Sequence, residues 1–227
     1  MQINLANMPV ITISLALVNA GIFAVGLISN TQNKIIADYG FIPDQLFHNT
    51  GGMGDAASSE SQSFSSGVIA ALGRLFSSMF VHANVVHISF NLFALVYIGG
   101  SAEKSIGALR YFSIYILAGL AGALLYGALA SFVTGNGGGV LIGASGAISG
   151  VLGIAAAMGN TNAYYWLIMQ IVFAVISSFT NIAPIAFTAH IGGFITGLLM
   201  ARLVLELERK KRGLNGGYED GWRQKWR

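Results

Sequence analysis

Residues 143–158 read GASGAISGVLGIAAAM, and they lie inside a longer run, Tyr111 to Ala201, that contains no Asp, Glu, Lys or Arg. Later in the same run stands Ala189-His190-Ile191-Gly192-Gly193. Polar and ionisable groups at bilayer depth are costly and face a bundle interior or a water cavity. Ser145 and His190 are therefore the first candidates for function, and together they imply hydrolysis inside a membrane.

Composition agrees with that setting. The chain is 54% hydrophobic and 9% charged, whereas about a quarter of residues are charged in an ordinary soluble domain. The expected fold is an all-α polytopic membrane protein. The first apolar run, Val10 to Ser29, follows nine residues without Lys or Arg, so it reads as a retained helix rather than a cleaved secretory signal. The absence of cysteine excludes disulfides, a thiolate nucleophile and Cys-based metal sites. Of the twelve Lys and Arg residues, only Lys34, Arg74, Lys104 and Arg110 precede Arg202. That bias predicts a cytoplasmic C-terminus. A basic tail beside a span meets anionic lipid headgroups more often than nucleic acid, so no nucleic-acid partner is expected.

Six spans are expected, near Val10 to Ser29, Val85 to Gly99, Leu109 to Val133, Ala144 to Met158, Tyr164 to Phe179 and Phe187 to Leu205. An even number puts both termini on the cytoplasmic side. The expected organisation is one membrane domain over 1–212, with a long outer loop at 30–84, and a short basic tail over 213–227. Within the loop, Thr50 to Gly67 is rich in Gly and Ser and reads as mobile, whereas Val68 to Phe80 repeats apolar residues at helical spacing and predicts an interfacial amphipathic helix. The fourth span offers about 22 Å of helix against a hydrocarbon core of about 30 Å. It should begin below the surface, after the non-helical Gly135 to Gly139 segment, and so expose Ser145 to water.

Gly146, Gly150 and Gly153 form a small-residue stripe on the fourth span, and Gly193 and Gly197 a matching one on the sixth. If the two face each other, Ser145 and His190 come within hydrogen-bonding reach. The plainer reading is helix packing alone. His87 and Asn91 share a face of the second span, and His82 lies near its start. Each is either interhelical glue or part of a site. Three histidines also allow a metal reading, but there is no HExxH spacing and no carboxylate in these spans, so neither metal nor cofactor is expected. In the catalytic reading Ser145 attacks a carbonyl and His190 accepts its proton. The Ser145 amide, with His87 and Asn91, would stabilise the oxyanion.

These residues resemble the rhomboid family of intramembrane serine proteases, of bacterial type. Gly143-Ala144-Ser145-Gly146 is similar to its GxSG motif, and His190, Gly193 and Gly197 fall in an AHxxGxxxG pattern. His82, His87 and Asn91 are similar to its second-span set, Arg74 to the Arg of its WR motif, and Glu103 to its acidic residue after that span. The resemblance implies a six-helix core, a Ser145/His190 dyad without metal, and cleavage of single-span transmembrane proteins. It implies a bacterial inner membrane and leaves the oligomeric state open. Two departures stand out: Gly73 replaces the family's Trp, and Ser149 stands where an aromatic often stacks on the base, with Tyr126, Tyr164 or Phe194 as substitutes. A non-catalytic rhomboid-like protein that binds transmembrane clients is the alternative; a channel or transporter would call for repeats that are not seen.

Overall fold

The computed structural model describes residues 9–47, 60–134, 139–180, 186–211 and 213. Among them the chain is helical, without strands, apart from one isolated antiparallel bridge between Phe41 and Leu141. The order is α1 (Val10–Ile28), α2 (Gln32–Tyr39), α3 (Pro43–Phe47), α4 (Glu60–Ser77) running into a 3₁₀ turn (Ser78–Phe80), α5 (Val85–Ile106) and α6 (Ala108–Leu129) ending in a π turn. Then come α7 (Ser145–Ala157), α8 (Thr161–Thr180) and α9 (Ala186–Lys211).

Helices occur at all six expected spans. Among the described residues, four of these are long and apolar enough to cross a membrane, namely α1, α5, α6 with the turn after it, and α9. Their outward side chains, such as Leu17, Phe90, Phe93, Leu109 and Leu199, are exposed and apolar, as lipid-facing residues should be. The chain is an integral membrane protein. α7 is different: it has 13 residues, mostly buried, and packs among α5, α6, α8 and α9. At 1.5 Å per residue it is about 20 Å long, too short to cross a core of about 30 Å. Gly159, at φ +94°, ends it in the left-handed turn that glycine favours, with the Gly159 and Asn160 amides closing onto Ala156 and Ala155.

Close approach, rather than large side chains, builds the centre. A Cβ on Gly193 would overlap the Gly146 carbonyl oxygen, and one on Gly197 would overlap that of Gly150. Gly122 of α6 meets the Ala189 carbonyl oxygen in the same way. In lipid, where apolar burial gives no preference for helix contact, such backbone approach supplies the dispersion contacts that hold helices together.

One end of the bundle gathers charge. Glu103, near the end of α5, accepts hydrogen bonds from the Ile11 and Thr12 amides and from Thr12 Oγ1, so it caps the start of α1. At the same end Arg110 pairs with Glu208 of α9 at 2.6 Å.

The long outer loop is more structured than its composition implied. Its helix begins at Glu60, not Val68, and includes part of the segment expected to be mobile; 50–59 lie outside the described residues, as do 135–138 and the tail beyond Gly213. Two further helices, α2 and α3, precede it. Ala71, Leu75 and Met79 of this helix and the turn after it face the bundle, while Ile69, Leu72 and Phe76 are exposed, so the segment is apolar on two sides.

Candidate active site

Three local devices aim the site residues. Gly143 sits at φ +115°, and a Cβ there would lie 2.7 Å from His87 Nε2, so only glycine gives both the turn and the room. Its amide donates to the Ser78 carbonyl at 2.9 Å, and the chain just before it pairs with Phe41 through Leu141. This ties the approach to α7 onto the outer loop. α7 then starts at Ser145, and its first intrahelical bond runs from the Ile148 amide to the Ala144 carbonyl. The amides of Ser145, Gly146 and Ala147 therefore have no intrahelical acceptor and point out of the helix start, where developing negative charge is favoured.

His190 lies in the second turn of α9, opposite that start. Its Nε2 is 2.8 Å from Ser145 Oγ, and its Nδ1 is 2.8 Å from Oε1 of Gln170 on α8. Trp166, one turn before Gln170, sets its ring 5.9 Å from the imidazole, and Phe187 approaches edge-on at 6.2 Å. Ser149 donates to the Ser145 carbonyl at 2.6 Å rather than to His190. Of the aromatics that stood as substitutes for a stacking residue, Tyr126 bonds the Gly139 carbonyl, while Tyr164 and Phe194 pack with each other. The ring contacts to His190 come instead from Trp166 and Phe187.

His87 is aimed from the start of α5, where the Asn84 side chain caps the helix by accepting from the His87 amide at 2.9 Å. The Ala83 amide donates to His87 Nδ1, which leaves the proton on Nε2, beside Gly143. Asn91 follows one turn later; its Nδ2 donates to the His87 carbonyl at 2.8 Å, and the second hydrogen of that amide remains to donate elsewhere. His82 is buried edge-on against His87, with ring centroids 5.1 Å apart. A small cavity borders Ser145, Gly146, Gly143, Ser78, Met79 and Ala189.

Gly143, Gly146, Gly193 and His87 thus lie around the Ser145–His190 pair, with His82 against His87, Asn91 one turn beyond His87 on α5 and Gly197 one turn beyond Gly193. Two residues expected to support the site stand apart from it. Glu103 is 16 residues from His87 along α5, about 24 Å, and holds the start of α1. Arg74 donates to the Ala37 carbonyl at 2.9 Å and braces α4 against α2. Gln170 went unread in the sequence, although it carried a signal: it is a lone amide in the middle of an apolar span, and such a group must find a partner.

The rhomboid domain family matches residues 70–207, from within α4 to within α9. RHOMBOID-like protein 1 of Arabidopsis thaliana is 32% identical over 142 residues, covering 58% of this chain and 34% of that protein. RHOMBOID-like protein 4 of the same plant is 32% identical over 139 residues, again 58% of this chain and 34% of the relative. Rhomboid-type serine protease 2 of Emericella nidulans is 30% identical over 139 residues, 58% of this chain and 27% of its own length. The chain spans about a third of the length of these curated relatives. With a family match over more than half of the sequence, and helices that run where that match lies, the chain belongs to the rhomboid family.

Proposed function

We propose that this chain is an intramembrane serine endopeptidase that cleaves transmembrane segments of other membrane proteins. The observation that carries the reading is the 2.8 Å contact between Ser145 Oγ and His190 Nε2 at the start of a short, buried helix. Ser145 attacks the scissile carbonyl as its proton passes to Nε2; His190 then returns that proton to the leaving amine. The oxyanion is held by the free Ser145 amide, His87 Nε2–H and the second Asn91 amide hydrogen.

The charged end of the bundle faces the cytoplasm in this reading. Lys104, Arg110, Arg202 and Arg209 to Lys211 gather there with the start of α1, so the positive-inside rule puts both termini on that side and Ser145 toward the outer face. Substrates are single-span proteins with small or helix-breaking residues near that face, because the peptide bond must leave its helix to reach Ser145. The named serine protease among the relatives supports the reaction class, and a bacterial inner membrane is the proposed location.

The test is labelling of purified protein by a fluorophosphonate probe, in detergent and in liposomes, with Ser145→Ala and His190→Ala as controls. Labelling that requires both residues is expected. Folded wild type that neither labels nor cleaves a transmembrane substrate would overturn the reading in favour of a non-catalytic client-binding protein.

A further inference from the structure

We infer that Gln170 is a positioning residue that fixes the tautomer of the His190 base, an assignment that rests on the serine-protease reading above. Gln170 is 6% exposed, halfway along α8, and its Oε1 is 2.8 Å from His190 Nδ1. With the amide oxygen turned to the ring, an atom that can only accept, Nδ1 carries the proton; a flipped amide would present an N–H and call for the opposite tautomer. Nε2 then bears the lone pair, 2.8 Å from Ser145 Oγ, where the serine proton must go. The other neutral tautomer would place a proton on Nε2 and could only donate to Ser145.

The same bond acts during the reaction. When the Oγ–H bond breaks and Oγ bonds the carbonyl carbon, the proton moves to Nε2 and the ring becomes an imidazolium. Its Nδ1–H is then a charged donor, and hydrogen bonds from charged donors are roughly twice as strong as neutral ones. Gln170 therefore favours the charged ring over the resting ring. A carboxylate in this place would have to be desolvated in an apolar site, whereas a neutral amide meets the ring N–H at far lower cost.

The rest of α8 supports a positioning role. Trp166 lies four residues before Gln170, on the same helix face, and its ring contacts the imidazole at a 43° tilt. One helix thus fixes both the ring plane and the ring proton.

The test uses the full chain labelled with ¹⁵N-histidine, in which imidazole nitrogen shifts report the tautomer, with the His190 signals identified by their loss in His190→Gln. Wild type should show the Nδ1–H form. Gln170→Met, close in volume but without the amide oxygen, should give a mixture of tautomers. Its kcat on a transmembrane substrate should fall about fivefold to tenfold, the worth of one net hydrogen bond, with KM within about twofold. An Nε2–H tautomer in wild type, or Gln170→Met with an unchanged tautomer and unchanged kcat, would overturn the assignment. Loss of the dyad reading alone is recognised separately: no Ser145-dependent labelling, while the nitrogen shifts still report whether Gln170 sets the tautomer.

Discussion

Replacing Gly193 by Ala adds a single methyl group, and the structure sets what it must do. The new Cβ overlaps the Gly146 carbonyl oxygen and lies 2.9 Å from its carbon and 3.3 Å from the Ala118 carbonyl oxygen. All three atoms belong to helix backbone, so no side chain can swing away. Restoring ordinary contact near 3.5–4 Å with that oxygen requires α7 and α9 to part by about 1.5 Å or more. Overpacking of this kind costs about 1–3 kcal/mol, with the upper part of the range expected where the obstacle is backbone. The chemical cost should be larger than the stability cost. Ser145 precedes Gly146 directly, and His190 stands three residues before Gly193, so the same parting stretches the 2.8 Å Ser145–His190 contact. A displacement of about 1 Å can cost on the order of 100-fold in rate. Gly73→Ala is the control, since a Cβ there meets nothing within 4 Å. In a helix interior that change is favourable by up to about 1 kcal/mol. The assay is thermal unfolding in detergent together with kcat on a reconstituted transmembrane substrate. A Gly193→Ala protein as stable and as active as Gly73→Ala would refute the close approach of α7 and α9 at the site.

Ser145→Ala should abolish cleavage and probe labelling yet shift stability by no more than about 1 kcal/mol, because it removes one hydrogen bond and leaves a residue suited to the small-residue seam; unfolding curves checked against wild type decide this. His87→Ala should lower kcat by about 100-fold or more with KM little changed, the pattern of a lost oxyanion donor, whereas a raised KM at constant kcat would make His87 a packing or substrate contact. Glu103→Gln should destabilise by about 2 kcal/mol, since an amide cannot accept from all three donors of α1, and it should leave kcat within about twofold because the dyad is far along the bundle. Unfolding in denaturant and steady-state rates on the folded fraction test both halves.

What the sequence conveyed depended on whether the signal was carried by one residue or by several helices at once. The uncharged run, the two glycine stripes, Ser145 and the lone histidine of that run were legible because each follows from the cost of polar groups or bulk at bilayer depth. α2 and α3 were not, because they are short and carry no strong apolar period. α2 is held by tertiary bonds, from Gln32 to the His82 carbonyl, Arg74 to the Ala37 carbonyl and Ser77 to the Tyr39 carbonyl, and α3 by packing against α4 and α6. The ring partners of His190 were hidden for another reason. α8 is apolar on every side, with Tyr165, Ile168 and Phe173 exposed, so hydrophobic periodicity could not tell which face turns toward α9. Once that rotation is known, Trp166 and Gln170 fall together. Gln170 is as isolated among apolar neighbours on α8 as Asn91 is on α5.

The length of α7 and the bareness of its packing face belong to one arrangement. A helix of about 20 Å cannot bring both of its ends to the membrane surfaces, so one end must lie within the hydrocarbon layer. Free amides at such an end would be costly unless protein or water meets them. Here the Leu141–Phe41 bridge and the Gly143–Ser78 bond satisfy the backbone leading in, while the first three amides of α7 remain available beside Ser145. Donors are then left over at the place where a nucleophile needs them. The glycine seam makes this tenable, because α9 can approach closely enough for His190 to reach the helix start. Lengthening α7 by a turn at its N-terminus would satisfy those amides within the helix and remove the proposed anion site. The short helix and its glycine seam are in this sense the conditions for the proposed chemistry, in which Ser145 and His190 would be the two side chains that use them.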